Sequence, residues 1–195
     1  MQSSADKLDS RGAEEWARMM RGQQYDAFYP EFAKLLVETR KTVREFNDTA
    51  PDDLDRLQQI LSRLLGTKGR NLVVNQPFRC DYGCNIHVGD NCIFNFNLTI
   101  LDEAKVTIGN NVFIGPNVSL YTACHPLDPA ERNKGIEWAL PITIADDVWI
   151  GGSVTILPGV EIGQGSTIGA GSVVTRSIPP HSVAVGNPCR VIKQL

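Results

Sequence analysis

The sequence lacks the features that mark membrane proteins, nucleic-acid-binding proteins and disulfide-rich proteins. It contains no apolar run of about 18 residues and no basic start followed by an apolar stretch, so we expect neither a membrane span nor a signal peptide. The net charge of −3 gives no basic footprint for nucleic acid. The 5 cysteines are odd in number and too sparse for a disulfide framework in 195 residues. These absences favour a soluble, cytoplasmic protein with one core and room for a small accessory domain.

More than half of the chain also lacks the helical period of about 3.6 and the strand period of 2. In residues 106–120 and 142–174, a branched aliphatic residue recurs at every sixth position, with the small residue serine at Ser166 and Ser172. A second aliphatic residue follows two places later, as in Val112-Phe-Ile114-Gly115 and Val148-Trp-Ile150-Gly151. A six-residue period indicates a parallel β-solenoid.

Each six-residue unit predicts one short strand and one turn, so three units predict a coil of about 18 residues in a triangular prism. The first aliphatic residue should point into the core, and the second should pack beside the corner. Glycines such as Gly115 and Gly151 follow the second aliphatic residue, where the chain bends and a Cβ atom would obstruct it.

The N-terminal third of the chain has a helical period instead. Helical spacing covers residues 14–21 and 31–46, and Asp52-Asp53 opens a third apolar-periodic segment that Gly66 stops. We predict a helical domain over residues 1–66 and a solenoid domain over residues 67–195. The helices should cover the open end of the first coils.

The six-residue repeat is interrupted over residues 121–141, and this loop is the candidate catalytic segment. Long loops on rigid scaffolds concentrate functional groups. His125 lies at the root of the loop, and Pro126 restricts the backbone before it to an extended form that fixes the direction of the imidazole. Histidine suits the role of a base near neutral pH, although a single histidine is commonly structural or simply exposed.

A set of motifs spread over residues 15–193 carries a family resemblance. They include Gly22-x2-Tyr25, Asp81-Tyr82-Gly83, Asn95-Phe96-Asn97, Thr122-Ala-x-His125-Pro126, Val148-Trp149-Ile150-Gly151, Gly169-Ala170-Gly171 and Gly186-Asn187-Pro188. In these motifs the chain resembles the maltose and galactoside O-acetyltransferases of the left-handed β-helix acyltransferase superfamily. The resemblance implies a mainly β fold with left-handed winding and a homotrimer. It also implies direct transfer of acetyl from acetyl-coenzyme A (acetyl-CoA) to a sugar hydroxyl, with no metal.

The resemblance also implies roles for individual residues. His125 would be the general base, and the amide of Asn95 would help to stabilise the transition state, although an asparagine there equally suits a solenoid corner. The implied acceptor contacts are Asp81, Asn95, Glu103, Glu137 and Asp26. The implied coenzyme groove consists of Trp149, Gly152, Ala170, Thr175, Arg176, Arg190 and Lys193. Departures from the galactoside branch at Asp81, Glu103 and Ala27 favour a maltose-like enzyme and leave the sugar open.

Several alternatives remain beside this interpretation. The Cys80-x3-Cys84-x2-His87-x4-Cys92 cluster has the residue types of a zinc site, but Cys92 falls at an inward position, so we predict reduced, buried thiols. A γ-class carbonic anhydrase shares the prism but needs closely spaced histidines, and the 3 here are far apart. A non-enzymatic scaffold, a covalent route through Cys124, and a non-sugar hydroxyl or amine acceptor are the others.

Overall fold

The computed structural model describes residues 8–195, in which N-terminal helices precede a parallel β-solenoid. The first seven residues of the predicted 1–66 domain therefore lie outside the described part. The helices are α1 (Ser10–Met20), α2 (Pro30–Asp48), α3 (Leu54–Leu64) and α4 (Pro129–Arg132). Within residues 8–195, no helix combines the length and the apolar character needed to cross a bilayer.

The solenoid strands form three sheets, which we call faces I, II and III in the order in which each coil visits them. Face I contains β2 (Thr67–Lys68), β5 (Ile86–Val88), β8 (Val106–Ile108), β13 (Ile142–Ile144) and β16 (Glu161–Ile162). Face II contains β3 (Val73–Val74), β6 (Ile93–Phe94), β9 (Phe113–Ile114), β14 (Trp149–Ile150), β17 (Thr167–Ile168), β19 (Ser182–Val185) and β20 (Arg190–Gln194). Face III contains β4 (Phe78–Cys80), β7 (Leu98–Leu101), β10 (Ser119–Tyr121), β15 (Thr155–Ile156) and β18 (Val173–Val174). All of these strands pair in parallel except β20, which pairs antiparallel with β19.

The first coils are longer than the predicted 18 residues. Thr67 pairs with His87, and His87 with Thr107, so each of these coils holds 20 residues (87 − 67 and 107 − 87). Thr143 pairs with Glu161, which gives the expected 18 (161 − 143) in the later part of the solenoid. The prediction is therefore wrong for the first coils. The extra residues enter where face III turns into face I, because the steps between the other faces keep six residues.

The core of the solenoid contains both aliphatic positions of the repeat. Val112 and Ile114 have exposures of 0% and 2%, whereas Phe113 between them is 48% exposed. The second position is therefore buried like the first, and its packing beside the corner stays a prediction. The same core continues into α3 through Leu57, Ile60 and Leu61, so the helices cover the first coil as predicted. The division at residue 66 stays a prediction, since a single core crosses it.

A second apolar cluster joins the N-terminal segment to one side of the solenoid. It consists of Trp16, Met19, Tyr25, Tyr29, Phe32, Leu35 and Tyr82. The rings of Trp16 and Tyr82 pack edge to face with centroids 5.0 Å apart. This packing holds β1 (Tyr25–Asp26) against the excursion of residues 121–141, where β1, β12 (Ile136–Ala139) and β11 (Ala123–Cys124) form a three-stranded antiparallel sheet.

The close approach of successive coils generates a stability prediction. A Cβ atom added at Gly115 would lie 2.6 Å from the backbone nitrogen of Gly152, whereas one added at Gly171, where φ is +71°, would meet nothing within 4 Å. We expect Gly115→Ala to lower the free energy of unfolding by about 3 kcal/mol or more, because backbone would have to move. Gly171→Ala should cost only the left-handed strain of roughly 1 kcal/mol. Urea denaturation measures both, and a larger loss in Gly171→Ala would contradict this explanation.

Candidate active site

Two edges of the prism carry the predicted functional residues. The edge between faces III and I, which we call the acidic edge, comprises residues 81–85, 102–105 and 122–141. The edge between faces II and III, which we call the glycine edge, comprises residues 95–97, 115–118, 151–153 and 169–172. The long first coils widen the acidic edge, and the 121–141 excursion leaves the solenoid from it.

Asp81 and Glu103 form a hydrogen-bonded carboxyl pair on the acidic edge. Burial of Glu103, followed by this hydrogen bond, raises the pKa of Glu103 well above the ordinary glutamate range. The hydroxyl of Thr122 lies 3.3 Å from Oε2 of Glu103. The pair therefore holds a proton at neutral pH, and it can both donate and accept hydrogen bonds.

Buried Asp102 fixes the backbone beneath this pair. Its Oδ1 accepts hydrogen bonds from the backbone amides of Asp81 and Tyr82 at 3.1 and 2.9 Å. Burial raises the pKa of Asp102 to about 7, and the backbone hydrogen bonds oppose that rise. Among the described residues, Oδ2 of Asp102 has no hydrogen-bond partner. Asp102 thus positions Asp81 without reaching the surface itself.

Glu137 lies between Tyr25 and His125. The hydroxyl of Tyr25 donates a hydrogen bond to Oε1 of Glu137, because β1 and β12 place these two residues directly opposite each other. Oε2 of Glu137 lies 3.7 Å from Nε2 of His125. Burial raises the pKa of Glu137, while the Tyr25 hydrogen bond and His125 lower it and Asp81 raises it further. Asp81, Glu137 and His125 therefore belong to one electrostatic cluster.

His125 lines an open cavity of about 370 Å³. Its side chain is 56% exposed, so a ligand can reach the imidazole. The lining residues are Ala27, Phe28, His125, Arg132, Asn133, Gly135 and Glu137. The guanidinium of Arg132 donates to the carbonyl oxygens of Pro126 and Leu127 at 3.1 and 3.3 Å, which fixes the backbone that follows His125.

The alternative chemistries find little support in this geometry. Burial, followed by the negative charge of Glu137, raises the pKa of the Cys124 thiol, so the thiolate needed for a covalent route is disfavoured. All five cysteines are free thiols. Among residues 8–195, no group of three or more histidine, cysteine or acidic side chains is arranged to hold a metal ion.

The glycine edge holds Asn95, Gly152 and Ala170. Oδ1 of Asn95 accepts a hydrogen bond from the backbone of Phe96 at 2.8 Å, as in a corner asparagine, and its amide NH₂ remains available for a ligand. The absence of a Cβ atom at Gly151 lets the backbone of Ala170 in the next coil come close. Trp149, on face II beside this edge, is 58% exposed. Small residues and an exposed indole thus border a shallow groove.

The structure places the remaining predicted residues in three other locations. Thr175 and Arg176 are exposed where β18 leaves face III for face I. Arg190 and Lys193 are exposed on β20, in the sheet of face II. The carboxylate of Asp26 accepts a hydrogen bond from the backbone of Phe28 and lies 3.8 Å from Arg11. Asp26 is absent from the lining of the His125 cavity, whereas its neighbours Ala27 and Phe28 belong to it.

One chain therefore does not bring all the predicted residues together. His125 lies on the acidic edge and Asn95 on the glycine edge, and face III separates them by roughly 15 Å, the span of about five strand residues. The supporting residues Tyr25, Asp102, Thr122 and Arg132 were not predicted. Tyr25 appeared in the sequence only as part of the Gly22-x2-Tyr25 motif, and its partner Glu137 is 112 residues away.

Comparison with known proteins agrees with this architecture. Residues 141–176 match the family model described as bacterial transferase hexapeptide (six repeats), and residues 18–69 match the maltose acetyltransferase hexapeptide capping motif. The galactoside O-acetyltransferase of Escherichia coli K12 is 48% identical over 77% of this chain and 74% of its own. The crystal structure of a maltose O-acetyltransferase from Clostridium difficile 630 is 47% identical, covers 93% of this chain and 97% of its own, and has a TM-score of 0.85.

Two related structures contain a coenzyme. A galactoside acetyltransferase in complex with coenzyme A is 42% identical, covers 91% of this chain and 89% of its own, and has a TM-score of 0.88. A hexapeptide-repeat acetyltransferase of Vibrio cholerae complexed with acetyl-CoA is 36% identical, covers 93% and 98% of the two chains, and has a TM-score of 0.86.

The fold and the site define a hexapeptide-repeat acyltransferase, and the predicted left-handed parallel β-helix is confirmed. More narrowly, the chain belongs to the maltose and galactoside O-acetyltransferase family. Membership confirms the predicted enzyme class, an acetyltransferase, and the related complexes agree with the predicted co-substrate.

The raised pKa of Glu103 predicts a pH dependence of stability. As pH rises above the ordinary glutamate range, the unfolded chain releases this proton while the native state keeps it. The native state then binds more protons, so the free energy of unfolding falls with rising pH until Glu103 ionises in the native state. We expect Glu103→Gln, which mimics the protonated acid, to gain at least about 1 kcal/mol relative to the wild type between pH 5 and pH 8.

Urea denaturation at the two pH values measures this gain. Glu131→Gln is the matched control, because Glu131 is an exposed glutamate of the short helix α4. Equal pH dependence in the wild type and Glu103→Gln would show that Glu103 does not retain the proton.

Proposed function

We propose that the protein transfers the acetyl group of acetyl-CoA to a hydroxyl group of a sugar, with His125 as general base. The single observation that carries this proposal is the position of His125, whose imidazole faces Glu137 in the lining of an open cavity beside the Asp81–Glu103 pair. Family membership supports the donor, and the polar lining of the acidic edge supports a hydroxyl-rich acceptor.

In the proposed reaction the acetyl group passes directly from the thioester to the acceptor, and His125 carries one proton from the hydroxyl to the thiolate. His125 takes the proton of the acceptor hydroxyl as that oxygen attacks the thioester carbonyl. The carbon–sulfur bond then breaks, and the imidazolium returns the proton to the leaving thiolate. Glu137 faces the imidazole and is itself held by Tyr25, so it can orient the ring and stabilise its charged form.

Acceptor binding is proposed for Asp81, Glu103 and Glu137. A carboxylate accepts hydrogen bonds from sugar hydroxyls, and the retained proton of Glu103 adds a donor to the same cluster. Asp26 stays a predicted contact, although its carboxylate faces Arg11 and the Phe28 amide. A panel of acceptors is needed to identify the sugar.

The donor groove is proposed for the glycine edge and the surfaces beside it. Gly152 and Ala170 leave room for a pantetheine arm, and Trp149 offers an exposed apolar ring. Arg176, Arg190 and Lys193 are exposed cations that can meet phosphates, and Thr175 adds a hydroxyl. Asn95 is proposed to stabilise the developing oxyanion with its side-chain amide.

A homotrimer would complete this site, since the acidic edge of one copy would meet the glycine edge of the next. Such a closed ring uses the same contact three times. An apolar stripe beside the glycine edge supports this assembly. Its members, each exposed by 42% to 58%, are Val73, Ile93, Phe113 and Trp149, which are paired in register along face II. We also propose a cytoplasmic location, because five free thiols suit a reducing compartment.

An acceptor panel combined with His125→Ala tests the proposed chemistry. Glucose, maltose and a galactoside should release the free thiol of coenzyme A much faster than aminoglycoside or chloramphenicol-like acceptors at matched concentrations. His125→Ala should lower turnover about 10²–10⁴-fold while coenzyme binding persists, as expected for loss of a general base.

Cys124→Ser is the matched control and should stay substantially active, since Cys124 adjoins His125 without a proposed role. Near-normal turnover of well-folded His125→Ala would remove His125 from the mechanism. A tenfold higher kcat/KM for an amine than for every hydroxyl acceptor, about 1.4 kcal/mol, would make the sugar acceptor wrong and leave the acetyltransferase class standing.

Mixed assemblies test whether two copies share one site. Asn95→Ala and His125→Ala should each have low activity alone. If a site takes His125 from one copy and Asn95 from the next, equal mixing after dissociation and reassembly should restore about a quarter of wild-type activity, the product of two chances of one half. No recovery, with mixed trimers verified by mass spectrometry, would place both residues of a site on one chain.

A further inference from the structure

A second cavity, of about 500 Å³, lies between α2 and face III. Its polar lining includes Arg40, Arg44, Asn47, Asp48, Arg79, Asp81 and Thr99. It shares only Asp81 with the acidic edge and shares no lining residue with the His125 cavity. Three guanidinium groups, those of Arg40, Arg44 and Arg79, therefore lie next to Asp81, a proposed acceptor residue.

Helix α2 carries Arg40 and Arg44, and a pair of hydrogen bonds made by Asn47 holds this helix against β4. The side-chain amide of Asn47 donates to the carbonyl of Phe78, and its oxygen accepts from the Phe78 amide, both at 2.9 Å. Arg40 and Arg44 precede Asn47 by seven and three residues, so the helical repeat places all three on one stripe. The stripe faces β4, whose outward residue Arg79 completes the set.

The carboxylates in the lining pair with only one of these three cations within residues 8–195. Asp48 pairs with Arg44 at 3.3 Å, and Asp81 is hydrogen-bonded to Glu103. The guanidinium groups of Arg40 and Arg79 form no ion pair or hydrogen bond within residues 8–195. A guanidinium group without a partner is a good ligand for a planar carboxylate or for a phosphate, and the hydroxyl of Thr99, opposite Arg79 in the sheet register, adds another donor.

We infer that this cavity binds an acidic group of the acceptor, so that the preferred acceptor is a sugar carrying a phosphate or a carboxylate. This inference rests on the proposed function. One end of such an acceptor would place its anion among Arg40, Arg44 and Arg79. Its hydroxyls would then lie at Asp81, which interacts with Glu137 beside His125. The chemistry of transfer is unchanged, and the acidic group takes no part in bond breaking.

Matched acceptors test the inference, namely glucose, glucose 6-phosphate and glucuronate. At low ionic strength, we expect kcat/KM for at least one acidic sugar to exceed that for glucose about tenfold or more. Added salt should reduce this preference, because exposed charges are screened. The two acidic sugars distinguish phosphate from carboxylate recognition.

Arginine variants connect that preference to the cavity. Arg79→Ala and Arg40→Ala should each lower the ratio of acidic to neutral kcat/KM by about fivefold or more. Lys41→Ala removes a neighbouring cation on α2 that is paired with Glu38, outside the cavity lining, and should leave the ratio unchanged. Circular dichroism checks the fold of each variant. A ratio near one in the wild type, or a high ratio that survives both arginine substitutions, would overturn the inference.

Direct binding separates this inference from the proposed function. If neutral sugars are acetylated and acidic sugars are not preferred, only the inference fails. If no sugar releases thiol, the proposed function fails, and calorimetry of glucose 6-phosphate and glucuronate with the wild type and Arg79→Ala still decides whether the cavity binds acidic sugars. Arg79-dependent binding would support the inference. Absence of binding, or inorganic phosphate binding as tightly as the sugar phosphate, would overturn it.

Discussion

Hydrogen bonding between successive coils in strict parallel register is the constraint on which the rest of this structure depends. Each interior strand donates to and accepts from the coils on both sides, so it cannot shift without breaking two rows of hydrogen bonds. Extra residues can therefore enter only at an edge. In this protein they enter at the edge between faces III and I, first as two residues per coil and then as the excursion of residues 121–141.

The extra residues bring several of the proposed functional side chains together at this one edge of the prism. The widened turns contain Asp81, Asp102 and Glu103, and the excursion contributes His125 and Glu137. Burial of several carboxyl groups in one place raises the pKa values of Asp102, Glu103 and Glu137, which creates a cluster of mixed protonation at neutral pH. The N-terminal helices stabilise this edge as well as the end of the solenoid, because Tyr25 and Tyr82 join both the second apolar cluster and the site.

The two-edge distribution of the proposed site would give the proposed trimer a catalytic purpose. A rigid prism cannot fold its own glycine edge onto its acidic edge, since a whole face lies between them. A second copy can supply the missing edge without any deformation. The arginine-lined cavity beside Asp81 would then act on acceptor choice and leave the acetyl donor and the base unchanged.

Local spacing and side-chain type were enough to predict the period of the solenoid, the helical cap, the position of the interruption and the residues of the family motifs. It did not determine the 20-residue coils, since register is set by pairing between coils and the two extra residues carry no periodic signal. The packing of separate elements was needed to show that Tyr25 contacts Glu137 across 112 residues and that α2 places Arg40 and Arg44 opposite Arg79. Such contacts depend on how separate elements pack, a property that no local pattern encodes.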